Sequence, residues 1–302
     1  MDRSNSCSST FRGSRPARSD MGRCCCSPSR FTRRAAFLVI WLFRRPRFPW
    51  FWPGRTPVEL LSYFSGTRHP AASLAVVVPL LLAYEGAVLG LTGGEQPAAR
   101  NGADAWLRNL VPEMGAWATH LPPMVIVAVL VMQTVWCWRE VPGRWPALLF
   151  GMVVECLMWS LSLWALSLGW PGIIKNSGVE LSWLDQAGPS IRAVLPLIGA
   201  GVYEEFLFRL AAVGLVAWAL RVVGVGGLTG WCVAAIVSSW FFAAAHHWGP
   251  MGQAYSPIVF SFRMAAGVIL CTLARFRGFS IAVGTHLLYN LIVGLRPVAG
   301  LP

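Results

Sequence analysis

The sequence predicts an all-α fold: a polytopic bundle of about seven transmembrane helices behind a disordered basic arm. Three observations lead there. Of 302 residues, 55% are hydrophobic and 13% charged, against about 25% charged in a soluble domain. Mean hydropathy is +0.55. Apolar runs close to the roughly 20 residues needed to cross a bilayer follow one another from residue 71 to residue 295, broken by Pro and Gly. These features place the chain among integral, multi-pass membrane proteins.

Charge is unevenly distributed. The formal net charge is +12, yet residues 1–55 hold twelve Arg and two Asp, a net of +10, which leaves +2 for the rest. Residues 1–34 are rich in Ser, Arg and Cys, without periodicity, and read as a disordered arm. Residues 35–70 form a basic, aromatic segment: the apolar run 35–43 is too short to cross and suits the interface, as do Trp50 and Trp52. Next to membrane helices, such an arm lies on anionic lipid or sets topology, with the N-terminus cytoplasmic, rather than binding nucleic acid. The Cys24-Cys25-Cys26 cluster has no CxxC partner or nearby His and does not read as a zinc site. Cys137, Cys156, Cys232 and Cys271 sit in apolar runs at unrelated spacings and read as small buried hydrophobes.

The expected bundle is 71–302, with spans at 71–92, 123–138, 145–170, 195–222, 229–248, 256–275 and 279–295. A weaker amphipathic stretch, 105–121, is expected to lie on the surface. The fourth span is unusual, because Glu204, Glu205 and Arg209 fall within six residues of it. A central charge costs a membrane helix roughly 2.5–3.5 kcal/mol, so charges there are functional by default. Glu205 and Arg209 are i and i+4, on one face, and are expected to pair. Glu204 points about 100° away and is left for general base work. The alternative is that all three form a purely structural ion network.

Two more spans bring polar groups inward. Phe242 and His246 share a face of the fifth, and His286 and Asn290 share a face of the seventh. Each pair alone would serve as interhelical glue. Three such helices are explained together by one shared cavity. Glu85, Glu155 and Arg263 are further charges in spans one, three and six, and Arg263 is expected to pair with Glu155 or Glu85 in a structural role.

In order, Glu-Glu-x-x-x-Arg at 204–209, Phe-x-x-x-His at 242–246 and His-x-x-x-Asn at 286–290 resemble the signature of the CAAX protease and bacteriocin-processing (CPBP, Abi) family. Its members include the type II CAAX prenyl endopeptidases. The resemblance covers about residues 195–295, and Gly267 and the Ser238-Ser239 pair fit it. Cys271 stands where a further glycine is common.

The resemblance implies an intramembrane protease whose substrate is a peptide or lipid-modified protein in the membrane. Glu204 would activate water with His246. His286 and Asn290 would stabilise the oxyanion, and Glu205 with Arg209 would be the structural ion pair. No cofactor is required by this reading. Zinc or another divalent metal would have Glu204, His246 and His286 as ligands, though Asn290 is a poor zinc ligand and no HExxH is present. The rival readings are a non-catalytic immunity or partner-binding protein on the same scaffold, and a proton-coupled transporter, which lacks support from an internal repeat. The sequence leaves substrate identity and oligomeric state open.

Overall fold

A computed structural model describes residues 58–92, 100–109, 120–137, 143–175, 191–248 and 252–294. The basic arm, most of the 35–70 segment and Cys24 to Cys26 lie outside them. The described residues are helical: α1 (Val58–Thr67), α2 (Pro70–Thr92), α3 (Gly102–Asn109), α4 (Leu121–Trp136), α5 (Trp145–Lys175), α6 (Ile191–Gly199), α7 (Val213–Val222), α8 (Gly227–Ala245), α9 (Pro257–Phe276) and α10 (Phe279–Gly294). Between α6 and α7 the chain stays helical through two π-helical segments, π1 (Ala200–Glu204) and π2 (Phe206–Ala212). The seven apolar helical stretches fall where the sequence places its spans.

Four helices, α2, α5, α8 and α9, are long and apolar enough to cross a membrane, and α4 and α10 are shorter apolar helices. Their outward faces carry Leu82, Met124, Phe150, Met158 and Phe241, all more than half exposed. Exposed apolar surface on that scale marks a lipid-facing exterior rather than a water-facing one. The protein is an integral, multi-pass membrane protein.

The core forms where α2, α4, the π segments and α10 meet, around Val77, Tyr84, Ile126, Val202, Tyr203 and Val283. On the other side α9 packs along α8, and α10 along α5. Gly278, the single residue between Arg277 and α10, has φ +120°, a conformation open to glycine and few others. That turn sends α10 back beside α9 and presents Arg277 to α5. Arg277 there holds Glu155 through two bonds of 2.5 and 2.6 Å, and the Tyr63 hydroxyl donates to the same carboxylate at 2.7 Å.

This arrangement corrects the expectation for Arg263. Glu155 pairs with Arg277, and Glu85 is held by Arg100, Arg108 and Tyr203. The Arg263 guanidinium instead donates to Gln253 Oε1 at 2.6 Å. Of 105–121, residues 105–109 and 120–121 are described; Trp106 and Asn109 are exposed and none of 105–109 is buried, while Ala103 and Asp104 ahead of them are. A lesser expectation changes for the cysteines. Of the four described cysteines, Cys156 and Cys271 are buried, Cys137 is half-buried and Cys232 is exposed.

Candidate active site

The acidic pair sits where the two π segments join: Glu204 ends π1, and Glu205 links it to π2. The sequence reading assumed α-helical geometry here. The observed i→i+5 bonding is rare and recurs at functional sites. Two glycines bring neighbours against this segment. A Cβ on Gly201 would stand 3.0 Å from Leu287 Cβ on α10, and one on Gly199 would stand 2.6 Å from the Tyr84 ring on α2. Without those side chains, α10 approaches closely enough for His286 to reach both acids. Ser238 on α8 donates to the Phe208 carbonyl of π2 at 2.6 Å, tying the third helix in.

Glu205 is fully buried and committed. Its Oε2 lies 3.1 Å from Arg209 Nε, and its Oε1 accepts from His286 Nδ1 at 2.7 Å. The Arg209 guanidinium also lies over the Phe242 ring, 4.2 Å from its centroid. Phe242 contacts His246 and His286 as well, with ring centroids 4.8 and 5.8 Å apart. The Phe of the Phe-x-x-x-His motif is therefore a spacer that sets the distance between the structural cation and both imidazoles.

Glu204 is placed differently. Its Oε2 is buried, with no hydrogen-bond partner, and it faces His246 Nε2 and His286 Nε2, each at 3.8 Å. His246 Nδ1 lies 2.8 Å from the Phe242 carbonyl. A carbonyl only accepts, so Nδ1 carries the hydrogen, and neutral His246 turns a lone pair toward Glu204. The His246 side chain is 25% exposed against 11% for Glu204, which puts the imidazole nearer the site's open side. His247 turns away, bonding the Gln253 carbonyl at 3.0 Å and stacking on Phe260. Asn290 lies one turn beyond His286, half-buried.

Sequence reasoning missed Asn101. Its amide nitrogen donates to Glu204 Oε1 at 2.9 Å, while its Oδ1 accepts from the Ala103 N–H at 2.8 Å. That second bond fixes which end of the amide faces Glu204. Asn101 N–H donates to the Tyr84 hydroxyl at 2.9 Å, which in turn donates to Asp104 at 3.0 Å. Asp104 is locked between Arg100 (2.9 Å) and Arg108 (2.6 Å). A signal was present for the charged stripe: Arg100, Asp104 and Arg108 recur every four residues, one stripe of a helix.

Three comparisons bear on this geometry. Residues 186–292 match the family model described as type II CAAX prenyl endopeptidase Rce1-like. This segment is similar to that family. The match covers about a third of the chain, contains all three motifs and supports the resemblance read from them. It supports intramembrane protease activity of the CAAX type in general terms. Asn101 and its charged stripe lie outside the Rce1-like segment. No curated protein and no solved structure matches the chain.

The donors expected for a metal can be tested on position. Among the described residues no group of three or more His, Cys, Asp or Glu is arranged to hold a metal ion. Zinc–ligand bonds run about 2.0–2.1 Å to nitrogen and oxygen, which sets neighbouring donors closer together than the 3.8 Å separating Glu204 Oε2 from either imidazole. As placed, Glu204, His246 and His286 do not fit a metal site.

Proposed function

We propose that the protein is an intramembrane endopeptidase that hydrolyses a peptide bond in a lipid-modified or membrane-embedded substrate, with CAAX-type processing as the nearest precedent. One observation carries the reading: a partnerless, buried carboxylate oxygen faces two imidazole nitrogens, each 3.8 Å away, while its sister oxygen is pinned by Asn101. One water can bridge Glu204 Oε2 and His246 Nε2, donating a hydrogen to each. Its free lone pair then points outward.

The chemistry follows from those groups. The water oxygen attacks the scissile carbonyl carbon as Glu204 takes a proton from it, acting as general base. The carbonyl electrons move onto oxygen, and Glu204 returns the proton to the leaving nitrogen as the C–N bond breaks. The products are a carboxylic acid and an amine. Asn290 and His286 stabilise the oxyanion; because the Nδ1 hydrogen of His286 belongs to Glu205, His286 donates to it only with a second proton on Nε2. Asn101 orients Glu204 without touching substrate, and Glu205 with Arg209 holds His286 and Phe242 in place.

The test is direct. Wild type, Glu204→Ala and His286→Ala are purified in detergent and offered prenylated, acylated and transmembrane peptides, with products read by mass spectrometry. Wild type should cleave at least one class, and both variants should lose activity while eluting as folded protein. Intact peptides throughout with wild type, or equal cleavage by Glu204→Ala, would overturn the reading.

A further inference from the structure

Arg263 stands apart from the other arginines of the bundle interior. Arg209 faces Glu205 and Arg277 faces Glu155, whereas Arg263 makes no ion pair with a carboxylate among the described residues. Its Nη2 donates to the neutral Gln253 side chain at 2.6 Å, and its Nη1 is buried with no hydrogen-bond partner. Arg263 lies early in α9, at the level where α8 ends in His246, and Gln253 bonds back to the His246 carbonyl at 2.9 Å. Gln253 thus ties the guanidinium to the end of α8, where His246 stands.

Glu204 Oε2 and Arg263 Nη1 are each buried without a hydrogen-bond partner, as are Glu205 Oε2 and the Arg209 nitrogens, but Glu205 and Arg209 face each other in an ion pair. An acid and a guanidinium in a water-poor bundle would close on each other if they could, because their attraction grows as the dielectric falls. Here no hydrogen bond or ion pair joins them among the described residues. Glu204 Oε2 is the place for the attacking water, and Nη1 is a donor with no acceptor of its own.

A donor is needed there. With Nδ1–H given to Glu205, neutral His286 has only a lone pair at Nε2 and cannot donate to an oxyanion. Asn290 supplies a neutral amide. A guanidinium stays charged throughout the reaction and offers the stronger, charge-assisted bond. We infer that Arg263 is a further catalytic residue: its Nη1–H binds the scissile carbonyl oxygen and stabilises the negative charge that develops there as water adds. Gln253 holds the other arm of the guanidinium and leaves Nη1 to the substrate. This rests on the hydrolase reading above.

The experiment compares wild type, Arg263→Gln and Arg263→Lys, each confirmed folded by size exclusion and thermal unfolding in detergent. Each is assayed on a cleaved peptide, and for binding of a phosphonate analogue of that peptide, whose tetrahedral centre mimics the oxyanion. Loss of one such donor should lower kcat about 100-fold in Arg263→Gln, with KM nearly unchanged. Arg263→Lys should recover part of the rate, and analogue affinity should fall in step with kcat/KM across the series. Unchanged analogue affinity, or a loss confined to KM, would overturn the assignment. So would a loss present for the free peptide acid and absent for its C-terminal amide, since that outcome makes Arg263 a carboxylate anchor. Failure of Arg263 in a wild type that cleaves through Glu204 leaves the protease reading standing. A wild type that cleaves nothing removes both.

Discussion

Glu205 accepts a hydrogen bond from His286 Nδ1 at 2.7 Å while its other oxygen faces Arg209. One buried acid thus fixes the tautomer of an imidazole 81 residues away in sequence and anchors the cation that stacks on Phe242. The pair Glu204-Glu205 divides its work by environment: the second acid faces His286 and the Arg209 cation, the first is pinned by Asn101 through one oxygen.

Glu205→Gln keeps an acceptor for His286 but removes the negative charge beside its ring. We expect kcat to fall about 100-fold, the scale of losing one electrostatic stabiliser, with little change in KM. Arg209→Met should act on stability instead. Stripping one partner from a buried ion pair costs about 3–5 kcal/mol, readable as a lower unfolding temperature in detergent.

Asn101→Ala should slow turnover by tenfold or more, since a hydrogen bond to a charged group contributes about 1.5–3 kcal/mol. The fold should persist, because Tyr84, Asp104, Arg100 and Arg108 hold one another without it. Asn101→Asp should be worse than alanine, setting one carboxylate against another. Kinetics of both variants beside wild type checks this, and equal rates in all three would contradict it.

The structural role expected of Arg263 belongs to Arg277. Arg277→Met leaves Glu155 buried with only Tyr63 and Trp159 as partners and should destabilise the protein by about 3–5 kcal/mol. Turnover per folded molecule should stay within twofold of wild type, checked by active-site titration against total folded protein.

Gly201→Leu tests the close approach of α10. A side chain there meets Leu287 at 3.0 Å from its first atom alone, and overpacking costs typically about 1–3 kcal/mol. Pushing α10 outward also carries His286 away from both acids. Activity should fall further than stability explains, and Gly201→Ala should show a weaker form of the same defect.

Much of this was legible in the sequence. Apolar runs and breakers gave the spans because bilayer thickness fixes helix length. Glu205 with Arg209, and the inward-facing Phe242, His246 and His286, were legible because helical periodicity places i and i+4 on one face. Asn101 was not, since it meets Glu204 across 103 residues, and the four-residue spacing of Arg100, Asp104 and Arg108 marks their own alignment rather than that of Asn101. The π segments were not either: i→i+5 bonding leaves no side-chain pattern of its own. Arg263 was given the wrong partner because depth in a span says nothing about azimuth. Gly278 turns Arg277 onto Glu155, and Arg263 is left with Gln253.

Hydrolysis in H2-18O gives the sharpest test of Glu204 as the group that activates water. Wild type and the near-isosteric Glu204→Gln, both verified as folded, are incubated with a cleaved peptide, and the new C-terminus is weighed. One 18O atom per cleavage in wild type, with the rate at least 10²-fold lower in Glu204→Gln, is the expected result, and it should persist with chelator present. Undiminished 18O-labelled product from Glu204→Gln would show that another group activates the water.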